Sequence, residues 1–176
     1  GISDEYISVC DVYQYASDSN CFEALLETFN NRYQKYQTYP VADAGYGNYN
    51  NYLYCKEKEM ELVQKFAMYK KATEDKNYIN DPFRVVNFKR NENGQLVCPN
   101  NKVFYYLKTE PIKGNKYGRT EEFYQCEDCS DCPLKSKCHK AKGNRIIKLN
   151  EELTALHQEV IDNLNSELGN KLRKNR

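Results

Sequence analysis

Residues 39–50 read YPVADAGYGNYN. The apolar run Pro40-Val41-Ala42 meets a single carboxylate, Asp43, and Ala44, Gly45, Tyr46 and Gly47 follow before an Asn-rich stretch. A short apolar run without alternation suits a buried central strand, here from Pro40 to Asp43. Asp43 then has two readings. An Asp just ahead of a Gly is a common turn former. An acid at a strand end also stands where ligands gather in α/β sheets. The flanking segments have to decide between them.

On the N-terminal side, residues 6–15 (YISVCDVYQY) alternate as a strand would. SDSN at 17–20 reads as a helix start, with Asn20 and Glu23 in capping-box spacing. Phe22, Leu25, Leu26, Phe29, Tyr33 and Tyr36 then give 20–36 one apolar helical face. On the C-terminal side, Asn48 to about Met60 reads as a helix and Leu62 to Ala67 as a further strand. Strand, helix, strand, helix, strand is an α/β layer.

The texture changes after Tyr69. Residues 70–80 are polar. Short strand-like runs follow at Val85–Phe88, Gln95–Cys98, Val103–Lys108 and Glu122–Cys126, parted by turn formers NENG, CPNN and KGNKYG. From Asn150 the chain reads as a capped helix, with Leu153, Leu156, Val160, Ile161, Leu164 and Leu168 along one side and Gly169 interrupting or ending it. The expected organisation is an α/β core over 1–69, a β-rich insertion over 70–149 and a helix over 150–176 that returns to the core.

The charge is balanced, 26 basic against 25 acidic residues, net +1. Bulk charge therefore does not mark a nucleic-acid binder, and such binding needs a local patch. The 16 Tyr, with no Trp and abundant Lys and Asn, read as coding bias before function. Position 1 is Gly in place of Met, consistent with an excised piece or a processed product. No apolar run approaches a membrane span of about 20 residues, and no signal peptide opens the chain. A cytoplasmic protein with reduced thiols is the default expectation.

Eight cysteines need placing. Cys10, Cys21 and Cys55 are scattered and read as small buried hydrophobes. Cys98, Cys126, Cys129, Cys132 and Cys138 are clustered, and clustered cysteines are usually ligands. Two thiolates two residues apart reach one zinc ion from a tight turn. Cys129 and Cys132 do that, Cys138 adds a third and Cys98 a fourth, which leaves Cys126 as a substitute. The rival set is local: Cys126, Cys129, Cys132 and Cys138. A [4Fe–4S] cluster is a further alternative, disfavoured by its fourth spacing and by Glu127, Asp128 and Asp131. His139 reads as a surface neighbour. Four thiolates would close a structural zinc shell and stabilise a small β-rich insertion.

Lys135, Lys137, Lys140, Lys142, Arg145 and Lys148 follow with no acid among them. They read either as a solvated face or as a phosphate-backbone contact assisted by Tyr105, Tyr106, Tyr117 and Tyr124.

VADAGYGNYNNY, DPFRVVNF, VCPNNKVFYY, YQCEDCSDCPLKSKCHKAKGNR and the final KLRKNR together resemble the middle of a bacterial insertion-sequence transposase of the DDE type. The resemblance runs through essentially the whole chain. It implies a partial ribonuclease H-like core, an insertion before the final catalytic helix, and a protein that cuts DNA at transposon ends and joins the 3′ hydroxyl to a target. It implies three carboxylates and Mg²⁺, with Asp43 matching the second acid and Asp18 a turn-shaping position. It favours Cys98, Cys129, Cys132 and Cys138 as the zinc set, and beside a nucleic-acid enzyme the reading of Lys135, Lys137, Lys140, Lys142 and Arg145 as DNA contacts gains weight. The family's first Asp is expected upstream of Gly1 and its Glu past Arg176, and its N-terminal DNA-binding helices are not seen. On that expectation the chain is a central fragment, inactive alone. Glu151, Glu152, Glu159 and Glu167 are explained by capping or a solvated face and are not candidates. The implied partner is DNA, with no membrane, and a homodimer is compatible. The alternative is a non-catalytic zinc-stabilised module that binds DNA or protein.

Overall fold

The computed structural model describes residues 2–3 and 6–174. The chain divides into two compact units, one built from residues up to Thr73 with those from Glu152 onward, the other from Glu74 to Glu151. The architecture is mixed α/β with small sheets.

In the first unit the chain passes through β1 (Ile2–Ser3), β2 (Tyr6–Ile7), a 3-10 turn at Asp18–Asn20, α1 (Cys21–Tyr33), β3 (Ala42–Gly47), α2 (Tyr49–Glu57) and β4 (Gln64–Phe66). β3 and β4 pair in parallel, with Ala42 opposite Gln64 and Gly47 opposite Phe66. Phe22, Leu26 and Phe29 of α1 are buried, as are Tyr49, Tyr52, Tyr54 and Cys55 of α2 and Leu62, Val63 and Phe66 around β4.

Gly47 is required by this pairing. A Cβ there would lie 1.9 Å from the Lys65 carbonyl oxygen and 2.6 Å from the Tyr52 hydroxyl. Asn48 then starts α2, its Oδ1 accepting the Asn51 N–H at 3.1 Å.

Several expectations change. The strand read over 6–15 forms only at Tyr6–Ile7, because β2 pairs with β1 alone and no further neighbour among the described residues takes up its backbone. The Asn20–Glu23 capping box is not made; Asn20 has near-helical dihedrals and the 3-10 turn feeds directly into α1. The polar stretch after β4 is helical, as α3 (Tyr69–Glu74) and α4 (Lys76–Ile79), the latter capped by Asp75.

The second unit holds β5 (Lys89–Arg90) paired with β6 (Leu96–Val97), and an antiparallel sheet of β7 (Phe104–Pro111), β8 (Thr120–Cys126) and β9 (Ile146–Leu149) in the order β7-β8-β9. The short helix α5 (Lys135–Cys138) lies between β8 and β9 in sequence. The buried core of this unit is small: Phe88, Leu96, Phe104, Cys126, Cys129 and Ile147.

α6 (Glu151–Asn165) and α7 (Glu167–Lys174) close the described chain. Leu156, Val160 and Leu164 are the buried stripe of α6. The break between the two helices is at Ser166, not at Gly169. The Ser166 hydroxyl donates to the Asn163 carbonyl at 2.6 Å and accepts the Gly169 N–H at 3.0 Å. Gly169 sits inside α7, where a Cβ would meet the Asn163 carbonyl at 2.0 Å.

A Gly47→Ala substitution must push β4 away or tear the pair. We expect it to cost about 3 kcal/mol, read as a lowered urea midpoint at unchanged slope. An unchanged midpoint would show that β3 and β4 are not held this closely.

Candidate functional site

Asp43 lies on β3 with its side chain exposed. Its Oδ1 accepts the Gly45 N–H at 2.9 Å, a turn-type bond two residues along the chain. Among the described residues no donor is placed on Oδ2. Ala42, Ala44 and Gly45 leave the carboxylate uncrowded. Asp43 also lines a cavity of about 390 Å³ with Val9, Phe22, Leu26, Phe29 and Tyr46.

Burial raises the Tyr46 phenol above its ordinary range, and the charges of Asp18 and Asp43 raise it further. The 3-10 turn that carries Asp18, a residue expected only to shape a turn, packs against β3, which carries Asp43. Sequence reading missed the residue that holds this corner together. Asn51 is buried, and its Nδ2 donates to the Tyr46 carbonyl at 2.8 Å and to the Ser19 carbonyl at 3.1 Å. It binds the end of β3 to the turn that carries Asp18. The only signal was an Asn at the third helical position after an Asn cap.

The glutamates set aside from the sequence all have partners. Glu151 pairs with Arg90 at 2.6 Å, Glu159 with Lys56, and Glu167 with Lys171 at 2.7 Å, while Glu152 accepts from the Tyr49 hydroxyl.

In the second unit Cys98, Cys126, Cys129, Cys132 and Cys138 all line one small cavity with His139 and Arg145. The Cys98 turn is closed by Cys98 N–H to the Lys102 carbonyl and Asn101 N–H to the Cys98 carbonyl, both 2.9 Å, with Asn101 left-handed at φ 55°. The Cys129 N–H donates to Asn144 Oδ1 at 2.9 Å, and Asn144 Nδ2 donates to the Glu127 carbonyl at 3.0 Å. Burial and a hydrogen bond with Cys129 push the Cys126 thiol up to about 12. Burial, then Lys135 and Arg145, lower the His139 imidazole. Among the described residues no three His, Cys, Asp or Glu side chains converge as a formed metal-holding group, at Asp43 or at the cysteines.

The basic stretch separates into two kinds of residue. Lys137, Lys140 and Lys142 are exposed, with no ion-pair partner among the described residues. Lys135 is half-buried and donates to the Lys142 carbonyl at 3.0 Å. Arg145 turns inward to Cys138 and to the Phe83 carbonyl. Lys148 pairs with Glu121 at 3.1 Å.

Residues 97–176, a little under half of the chain, match the family model of the transposase DDE domain. This segment is similar to the DDE domain of transposases. The expectation of a DDE transposase is borne out there, and the match brings with it the expectation of a ribonuclease H-like fold. Neither the curated proteins nor the solved structures give a match. The transposase segment takes in the β7-β8-β9 sheet, the cysteine cluster, the lysines and both final helices, whereas Asp43 lies outside it. Among the described residues no helix is long and apolar enough to cross a membrane.

Replacing Asn51 with Ala removes both carbonyl contacts. We expect a loss of about 2 kcal/mol by denaturant titration. A neutral result would mean that the Tyr46 and Ser19 carbonyls find other donors.

Proposed function

We propose that the chain is the central part of the catalytic domain of a DDE transposase, acting on DNA by phosphoryl transfer to water or a 3′ hydroxyl. The observation that carries the reading is the transposase match over 97–176, on a chain that also presents an uncrowded carboxylate at Asp43. Asp43 is one of three acids in this proposal, matching the second acid of the resemblance.

The turn bond from Gly45 to Oδ1 fixes the direction of the carboxylate and leaves Oδ2 available for a cation. That fits one ligand bond to Mg²⁺, and the rest of a metal site would have to come from other groups. A divalent ion bound there would stabilise charge developing on the phosphoryl oxygens and lower the pKa of an attacking water. With one acid of three, the chain alone is proposed not to cleave DNA.

Lys137, Lys140 and Lys142 are proposed as phosphate-backbone contacts. They are exposed and free of carboxylates, the condition for counterion release on binding. Zinc as a structural ion and a cytoplasmic location remain parts of the same proposal.

Two measurements test it. Duplex binding should weaken with salt, and replacing Lys137, Lys140 and Lys142 together with Ala should flatten the log–log slope by about 2–3. An unchanged slope removes these lysines from the interface. In the transposase carrying this segment, Asp43→Asn should lower strand cleavage roughly a hundredfold or more with DNA affinity retained. Wild-type cleavage by that variant would return Asp43 to a purely turn-forming role.

A further inference from the structure

We propose that the hairpin tip between β7 and β8 is a second DNA-contacting element, a basic β-ribbon that lays Lys113 and Lys116 on the phosphates of a duplex beside a groove. The inference rests on the DNA reading above and adds a surface separate from the lysines at 137, 140 and 142.

Residues 112–119 read IKGNKYGR, and from Pro111 to Thr120 there is no acid. Lys113 and Lys116 are exposed. The acids that flank the tip are engaged by cations of the sheet. Glu110 pairs with Lys108 at 2.6 Å, and Glu121 pairs with Lys148 at 3.1 Å and Arg119 at 3.6 Å. The tip therefore presents positive charge alone, within a chain that is nearly neutral overall.

The tip also stands clear of the sheet. β9 pairs only with Glu122–Gln125 of β8, so Glu110 and Pro111 run on with Glu121 and Thr120 as a two-stranded ribbon. The major groove of DNA admits a ribbon of this kind. Gly114 and Gly118 take φ of +72° and +69°. Among the described residues no atom lies within 4 Å of where a Cβ would stand at either glycine, so the loop has open space around it.

Asn115 is the positioning residue of the loop. Its Oδ1 accepts the N–H groups of Tyr117 and Arg119, both at 2.9 Å. Its Nδ2 donates to the Ile112 carbonyl at 3.1 Å and to the Arg119 carbonyl at 3.0 Å. The Ile112 N–H donates to the same Arg119 carbonyl at 2.9 Å. A loop shaped in advance gives up little conformational freedom on binding, and its lysines meet the phosphates in one arrangement.

The tip and the other lysines lie at opposite ends of the sheet. β8 runs from Thr120 beside the tip to Cys126, and Cys126 shares a cavity with Lys135 and Cys138 of α5. The 7 residues of β8 separate the two ends by roughly 23 Å. The two groups of lysines thus reach different phosphates, and their effects on salt dependence add.

Binding of a fluorescein-labelled duplex to the chain, followed across a salt series, tests the contact. Lys113→Ala combined with Lys116→Ala should weaken binding about tenfold at low salt and flatten the log–log slope by about 2. Lys70→Ala combined with Lys71→Ala removes the same charge from exposed positions of α3 and should leave the slope unchanged. Asn115→Ala keeps every charge, so affinity should fall severalfold at an unchanged slope, with the circular dichroism of the parent chain. In the unmodified sequence, the duplex should protect Lys113 and Lys116 from acetylation read by mass spectrometry. A parental slope without the two tip lysines, an equal flattening by the α3 pair, or acetylation of the tip indifferent to DNA would overturn the hairpin contact. Parental affinity in Asn115→Ala would overturn the role of Asn115. Salt-dependent binding that leaves the tip unprotected removes the hairpin and keeps the DNA reading, whereas no duplex binding at all overturns both.

Discussion

The Lys65 carbonyl occupies the space where any side chain at residue 47 would begin. That contact sets the spacing of β3 and β4, and much of the first unit is arranged around it. Tyr52 reaches into the same place from α2 and donates to the Gln64 carbonyl at 3.0 Å. Gln64 is fully buried and donates from its amide to the Pro40 carbonyl at 2.7 Å, so β4 holds the chain on both sides of Asp43. Asn163 of α6 donates to the Leu62 carbonyl at 3.1 Å and brings the C-terminal helix to the same strand. A two-stranded pair is marginal alone. Here two helices and the amide side chains of Gln64 and Asn163 make up for the missing neighbours.

The second unit meets the same shortage of core in another way. Six buried residues supply little apolar area for a 78-residue segment. Its turns are instead closed by polar side chains. Asn91 accepts from the Asn93 and Gln95 N–H groups, Asn115 from Tyr117 and Arg119, and Asn144 clasps Cys129 and Glu127. The abundance of Asn, read from the sequence as coding bias, has structural work in at least these three places. Such turns fix local geometry but bury little apolar surface.

What was legible in the sequence was periodic or punctuated. The α1 face, the start of α2 and the turns NENG and KGNKYG rest on local chemistry and appear in the structure, whereas the strand read as buried and central over Pro40–Asp43 runs over Ala42–Gly47, pairs with β4 alone among the described residues and is exposed at Asp43, Ala44 and Gly45. The strand over 6–15 failed because alternation reports a residue pattern, while a strand also needs a neighbour that pattern cannot supply. Gly169 misled for a related reason. It permits close approach of two helices, and the helix break beside it comes from Ser166. Asn51 and Arg145 were beyond local reading, since their roles lie in contacts across 32 and 62 residues of chain, to Ser19 and Phe83.

The two readings of Asp43 turn out to be compatible. As a turn former it uses one oxygen, Oδ1, on the Gly45 N–H. That bond removes rotational freedom from the carboxylate, so the entropic cost of ordering it is met by the fold. Gly45 has a second effect, since an added Cβ there would stand 3.2 Å from Oδ1 and crowd the group it orients. A turn residue held this way has one carboxylate oxygen engaged by the backbone, and the small residues that make the turn also keep the approach to Oδ2 open.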